Sequence, residues 1–488
     1  PAPQEMTRQQ KDDTITQIRT YSLITPMFGG GTEPGTCDPV TIIRGTEIRA
    51  QLRFWWRACR GGRYSTWQEM KEVEDEIWGK ASRKEQKQEE KVQEKNNTEK
   101  DDEAEKYKMS VQIVIDIPRG SEGEPLKPYH LKWDEGKQEY RVSAAPDVPA
   151  YAAFPLQPER KERKDKNFQL KPLRRDVSFT LTITFPTSKS TKKHGKIEMR
   201  PEIEAALWAW ETFGGVGART RRGFGALCCE SVKDGDTIQL PDLPLADPAQ
   251  TLTWLQEKLK CHVGQATQWP PDMTHLPASF IEGKTCRTIR NSNGANDPTS
   301  LWKSLIDRLS QFRQMGRSSG KKVPGRSLWP EADTVRYLTN QNRKRKDRQP
   351  VPQPPIDKFP RAAFGLPIIF HFKDNKDNDK SSNSCNPFGD PRQTVLQEKD
   401  FERLASPLIL KPLACQSDNY IGLAIILVCT RSNSPQLELK TQQGREGSWE
   451  VKAALDEDEE LTLQEQSNQF EALITHNTDL LRAFLQYL

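Results

Sequence analysis

The sequence predicts an α+β protein, and three features predict it. Strand-like runs with strict alternation recur along the chain, the clearest being Val177, Phe179, Leu181, Ile183 and Phe185. Between such runs lie stretches whose apolar residues return at helical spacing, as Ile203, Ala206, Leu207 and Trp210 do. The run 213–227, FGGVGARTRRGFGAL, then joins that helix to a strand through a loop of glycine and arginine.

Residues 14–25, TITQIRTYSLIT, read as a first strand rich in β-branched and aromatic side chains, stopped by Pro26. Phe28-Gly29-Gly30-Gly31 and Pro34-Gly35 open a loop that runs to Pro39. Next, 43–63, IRGTEIRAQLRFWWRACRGGR, reads as a helix from near Thr46 to Gly61-Gly62. At about 100° per residue, Arg49, Arg53, Arg57 and Arg60 share one stripe. Ile48, Leu52, Trp55 and Cys59 share the adjoining face, with Trp56 at its border, so the tryptophans read as core anchors. The apolar face docks on a sheet and the arginines line a groove. No acid lies within the stripe to form i,i+4 pairs. Arginines left unneutralised in a row point to a polyanion.

Residues 80–108 are a charged insertion of mixed sign, and strands return at 109–117 and 176–185. Lys192-Lys193-His194-Gly195 makes a basic turn before a helix that starts near Pro201. The loop that follows that helix holds Gly214, Gly215, Gly217, Gly223 and Gly225 around Arg219, Arg221 and Arg222. Glycine lets another backbone approach, and guanidinium forks suit phosphate oxygens, so the loop is a pliable arm for a sugar–phosphate chain. It is no nucleotide-phosphate loop, because no GK[ST] follows and no strand precedes the glycines. The order strand, helix, strands, helix, strand over 1–240 suits a ferredoxin-like (RRM-like) sandwich, an antiparallel sheet with helices on one face. Such sheets commonly carry single-stranded RNA.

Prolines 241, 244 and 248 mark a boundary, and 241–488 reads as a second α+β half. A helix spans 298–315, with Leu301, Leu305, Leu309 and Phe312 on its apolar side. A second glycine-rich basic loop (316–326), a basic cluster (343–348) and a proline-rich run (350–360) follow. Strands are expected at 366–372 and 408–413, around a low-complexity stretch at 373–392. The run 420–429, YIGLAIILVC, reads as a central strand, and 461–488 as one or two closing helices.

Composition narrows the function classes. Among 488 residues, 73 Lys and Arg against 68 Asp and Glu leave a net charge of only +5, so nucleic-acid binding must come from local clusters. No apolar run is long enough to cross a bilayer, and the first residues lack a secretory core, which together with nine scattered cysteines points to reduced thiols in the cytoplasm. Six dispersed histidines form no metal constellation, so no metal and no cofactor are expected.

Two motifs together, IRGTEIRAQLRFWWRA and GGVGARTRRGFG, resemble the RAMP superfamily of CRISPR RNA-binding proteins. Thr25-Pro26-Met27-Phe28-Gly29-Gly30, 52–58 and 214–225 are similar to the signature of the first-numbered subunit of type III-B (Cmr) complexes. RSLWPEADTVR (326–336), RAAFGLP (361–367) and RLASPLIL (403–410) extend the likeness into the second half. Ala50 departs from a common glycine, which touches the helix start only. The resemblance implies two ferredoxin-like RAMP domains. It also implies a non-catalytic subunit that helps hold the crRNA 3′ region and capture target RNA, with other Cmr and RAMP subunits as partners. The candidate RNA contacts are Arg44, Arg49, Arg53, Arg57, Arg60, Lys192, Lys193, Arg219, Arg221 and Arg222.

Two alternatives stay open. In backbone RAMP subunits the resemblance places a metal-assisting aspartate after the first strand, where Asp38 lies, so a metal-dependent endoribonuclease is one. His194 with Lys192 is the faint acid–base pair of a metal-independent cutter. The other alternative is a structural scaffold whose basic loops meet acidic protein surfaces.

Overall fold

A computed structural model describes residues 14–80 save 34, 111–264 save 192, 268–314 save 292, 293 and 295, 329–338 save 330, 358–370, 394–399, 403–429, 436–441, 448–451 and 479–488. The charged insertion beyond Lys80, Lys192, the second glycine-rich loop, the 343–348 cluster, most of the proline-rich run, the 373–392 stretch and residues 461–478 lie outside the described residues. The chain divides into two compact units, one of 1–279 with 290–303 and 411–422, the other of 280–289, 304–410 and 423–488.

In the first unit, β1 is Thr14–Leu23 and α1 is Gly45–Arg60. After them come α2 Trp67–Trp78, β2 Gln112–Asp116, β3 Ser178–Pro186, α3 Met199–Phe213, β4 Leu227–Asp234 and β5 Thr237–Gln239. The sheet runs β5–β4–β1–β3–β2, and each neighbouring pair is antiparallel. Without the β5 edge this is order 4-1-3-2 on a β-α-β-β-α-β path, the ferredoxin-like pattern. A bulge between Thr20 and Tyr21 on β1 leaves Glu230 of β4 as the extra residue.

Alternation sets the two faces of the sheet. Tyr21, Phe179, Leu181, Ile183 and Phe185 are fully buried, as are Leu52, Trp56, Ile203, Leu207 and Trp210 on α1 and α3. The opposite face carries Thr16, Ile18, Thr20, Ser22, Thr180, Thr182 and Thr184, half-buried or exposed. It offers hydroxyl groups where a stacking platform needs aromatic rings. So the expected RNA surface of the sheet is not built for stacking, although the fold is the expected one.

α1 starts at Gly45, one residue before the expected Thr46, and stops at Gly61 as expected. α3 starts two residues before Pro201, whose absent N–H falls among the four donors that a helix start leaves unpaired in any case. α2 is the element that the reading of the sequence passed over. Thr66 caps it, accepting from the Glu69 amide at 3.2 Å, and Met70, Val73, Glu74, Ile77 and Trp78 are its buried side.

In the second unit, Ile368–Phe370, Thr394–Glu398, Leu437–Thr441 and Ser448–Val451 pair antiparallel in that order. Phe359, Leu396, Leu437 and Leu439 lie in its core. The expected helix is Pro298–Gln314, of which 304–314 belong to this unit, with Leu305, Leu309 and Phe312 buried, as Leu301 is in the first unit. Within this unit Phe312 packs on Phe484 of the terminal helix Leu480–Tyr487 at 5.3 Å. Tyr420–Ile426, of which 423–426 belong to this unit, is the middle strand of a three-stranded sheet, as its unbroken apolar run predicts. Two of the second-half motifs meet: Glu331 is fully buried and accepts from the Arg361 amide at 2.9 Å and from its guanidinium. No helix among the described residues is long and apolar enough to cross a membrane.

Candidate nucleic-acid interface

Three segments converge at one end of the first unit's sheet: the loop after β1, the start of α1 and the glycine–arginine loop after α3. Thr25 ties the two loops, its hydroxyl donating to Gly223 O at 2.7 Å and accepting from the Ala226 amide at 2.8 Å. The Gly225 amide donates to Pro26 O at 2.9 Å, and the Ala218 amide to Phe28 O at 2.7 Å. Phe28 packs against Phe224 at a tilt, ring centres 5.4 Å apart, and Phe224 meets Trp302 edge-on at 4.8 Å. The Trp302 indole donates to Arg222 O at 2.6 Å.

Glycines are required here for contact. Gly225 has φ 59°, and a Cβ there would lie 2.0 Å from Val216 O. Gly217 has φ 82°, and its Cβ would lie 2.6 Å from Phe28 O. Gly214, Gly215 and Gly223 are buried as well. The expected pliable arm is therefore a pinned loop, hydrogen-bonded on both sides. Its fixed course is what aims the arginines.

The root of the loop is fixed from below. Lys411, fully buried, donates to Glu211 O at 3.1 Å and Gly214 O at 2.9 Å, the last carbonyls of α3. Burial pushes its pKa down to about 7. The Glu211 carboxyl, raised by burial, accepts from the Tyr21 hydroxyl at 2.5 Å and from Arg19 at 3.0 Å. At the start of α1, Arg44 donates to Gly30 O and Gly31 O, both at 2.9 Å. Glu47, its carboxyl raised by burial, accepts from the Gly217 amide.

The arginine stripe of α1 does not join this cluster. Arg53 donates to Glu74 at 2.7 Å and Asp75 at 3.0 Å, and Arg57 pairs with the same Glu74 at 2.5 Å. Arg49 donates to Trp78 O and Val111 O, both at 3.0 Å. Arg60 donates to Pro201 O at 2.7 Å and lies 3.5 Å from Glu202. The stripe itself holds no acid, as expected, but it is not left unneutralised, because α2 and α3 deliver Glu74, Asp75 and Glu202 to it. At about 100° per residue, Glu47 and Phe54 project roughly 100° or more around the helix from Arg53. The stripe meets α2 and α3, whereas Glu47 and Phe54 meet the glycine loop. The two sets of guanidinium groups do not converge.

On the loop, Arg219 adopts the left-handed conformation, φ 59° and ψ 27°. Burial pulls its pKa below the ordinary arginine value, and the groups that oppose this are the Tyr151 and Tyr129 phenols rather than carboxylates. Its Nε is buried with no hydrogen-bond partner, and no carboxylate pairs with it among the described residues. The Arg221 guanidinium stands 5.6 Å from the Phe54 ring centre, and Arg222 donates to Arg221 O at 3.2 Å.

The remaining candidates are dispersed. Lys193 pairs with Glu72 at 2.7 Å, and His194 lies 3.3 Å from the same carboxylate. They border a cavity of about 620 Å³ with Arg63, Tyr64, Gln68 and Glu69. The Glu72 carboxyl there is held low by its hydrogen bonds to Lys193 and His194. Asp38 uses Oδ1 to accept from the Val40 amide at 2.9 Å and the Thr41 amide at 2.8 Å, an Asx turn that lowers its pKa. No group of three His, Cys, Asp or Glu side chains able to hold a metal occurs among the described residues.

A model of the RAMP superfamily matches residues 20–228, the span from β1 through the glycine–arginine loop into β4. No characterised protein matches the chain in a sequence search. Among solved structures, the chain is similar to Cmr1 from Pyrococcus furiosus in its apo form, with 13% identity over 86% of this chain and 90% of that one, TM-score 0.41. It is also similar to a chain of the type III-B Cmr-beta complex bound to cognate target RNA, with 14% identity over 86% of this chain and 95% of that one, TM-score 0.45.

Proposed function

We propose that the chain is a non-catalytic RNA-binding subunit of a type III-B CRISPR effector complex. It holds the crRNA 3′ region and helps capture target RNA in the cytoplasm, beside other Cmr and RAMP subunits. Its two RAMP-type halves are 1–240 and 241–488. The match of residues 20–228 to the RAMP superfamily supports the class.

The observation that carries the reading is Arg219. This guanidinium is desolvated yet has no carboxylate partner among the described residues, beside Arg221 and Arg222 on a pinned loop. A phosphate oxygen supplies the missing charge and the missing acceptor. The contacts assigned to RNA are therefore Arg219, Arg221 and Arg222, with Lys192 and Lys193 as outlying ones. Arg44, Arg49, Arg53, Arg57 and Arg60 shape the site from behind.

Fluorescence anisotropy with a single-stranded oligoribonucleotide, repeated over a salt series, tests this. Each lost phosphate contact lowers the slope of log K against log salt by about 0.7 for a single strand. Replacing Arg219, Arg221 and Arg222 together by alanine is expected to reduce the slope by roughly 2. An unchanged slope and affinity would overturn the assignment. No cleavage of labelled RNA is expected with Mg²⁺, and cleavage abolished by Asp38→Ala would replace this reading with the nuclease.

A further inference from the structure

We propose that Phe54 and Arg221 form a stacking platform for an unpaired nucleobase beside the phosphate held by Arg219. The proposal rests on the RNA-binding reading above and adds what the loop reads: a single strand with a base turned out.

Phe54 is the unexplained residue of α1. Of Phe28, Phe54, Trp55, Phe213 and Phe224, whose rings surround the loop, Phe54 is the one that is not buried. Trp55 holds it edge-on, with ring centres 5.0 Å apart and planes at 83°. That contact fixes the orientation of the ring without hiding it. Arg221 extends the ring with a second planar group. Bases splayed from a single strand stack on aromatic rings and on guanidinium planes, whereas bases inside a duplex do not present their faces. The wet face of the sheet carries threonines and serines, so the role that aromatic residues take on other sheets of this shape falls here to the middle of α1. Arg219 is two residues from Arg221, so a phosphate and the base of a neighbouring nucleotide are served by one turn of chain.

The test uses the full chain and a single-stranded oligoribonucleotide carrying 2-aminopurine, whose fluorescence is quenched on stacking. Phe54→Leu is expected to weaken binding about tenfold, within the range for loss of one base–aromatic contact, and to remove the protein-induced quenching. The salt slope is expected to stay as in the wild type, because no charge is lost. Phe54→Trp keeps a stacking face and is expected to retain affinity and quenching. A duplex of the same sequence is expected to bind at least tenfold more weakly than the single strand.

If Phe54→Leu leaves affinity and quenching unchanged while Arg219→Ala still lowers the slope, the platform is overturned and the backbone-binding reading stands. If neither variant changes anything, both are overturned. Equal weakening by Phe54→Leu and Phe54→Trp would mean that the ring serves packing alone. Equal affinity for duplex and single strand would also overturn the platform.

Discussion

α1 carries two kinds of arginine environment on its flanks. On one, Arg53 and Arg57 share Glu74, a carboxylate whose side chain is 1% exposed. On the other, the glycine–arginine loop brings Arg219, which has burial but no carboxylate partner among the described residues. Both are basic clusters in the sequence, yet in the fold one is an internal brace and the other is unsatisfied. A cation's meaning depends on the acids that the fold delivers to it. An arginine that has paid for desolvation without a partner is the better mark of an anionic ligand.

The largest test of this contrast is Glu74→Ala. It takes from Arg57 its ion pair and leaves Arg53 with Asp75 and the Gly79 carbonyl. Breaking a buried pair on one side costs on the order of 3 kcal/mol, and these arginines are less than a third exposed, so urea denaturation should show a loss near that size. RNA affinity measured on the fraction still folded should hold. If stability is unmoved but RNA binding falls, the stripe is an RNA surface after all.

Gly225→Ala comes next. The added methyl meets Val216 O in a left-handed backbone, a strain of about 1–3 kcal/mol. Because the loop is pinned at that point, the variant should lose RNA affinity together with stability. A pliable arm would absorb the methyl with little change in either measurement.

What the sequence disclosed follows the same divide. β1, β3 and α3 were legible because alternation and helical spacing are local. Gly61 and Gly214 end α1 and α3 where glycine predicts. α2 is legible too, in Thr66 followed by Glu69 and apolar residues at 70, 73, 77 and 78, but its span between Gly61-Gly62 and Gly79 is short. With α2 unseen, Glu74 and Asp75 had no place, and the stripe read as unpaired. Phe54 escaped notice for a different reason. Its value lies in Arg221, 167 residues later, and no local pattern reports such a contact.

Lys411 is the third test, and its sign can be worked out. Burial lowers its pKa from 10.5 to about 7, so the unfolded chain binds more protons between those values. Its contribution to stability is therefore complete above pH 10.5, shrinks as the pH falls, and is lost near 7. Lys411→Met should flatten that part of a stability–pH curve recorded by thermal unfolding. The same slope in the variant would show that another group titrates. Because Lys411 also holds the Gly214 carbonyl, the variant should loosen RNA binding at pH 7 by a smaller factor than Gly225→Ala.

Arg219→Ala should be the quietest change in stability and the sharpest in function. The substitution removes a guanidinium that folding desolvates without an ion pair, and alanine keeps the same left-handed backbone cost that arginine already bears. Stability should stay within about 0.5 kcal/mol of the parent or rise slightly, since no ion pair is lost. The salt slope of RNA binding should nevertheless fall by about 0.7, one phosphate's share. In Glu74→Ala the order is reversed, with a large stability loss and an unchanged slope. That crossed pattern separates a brace from a ligand site. A stability loss at Arg219 comparable with that at Glu74 would mean that its guanidinium is held by the protein, and the loop would lose its claim on phosphate.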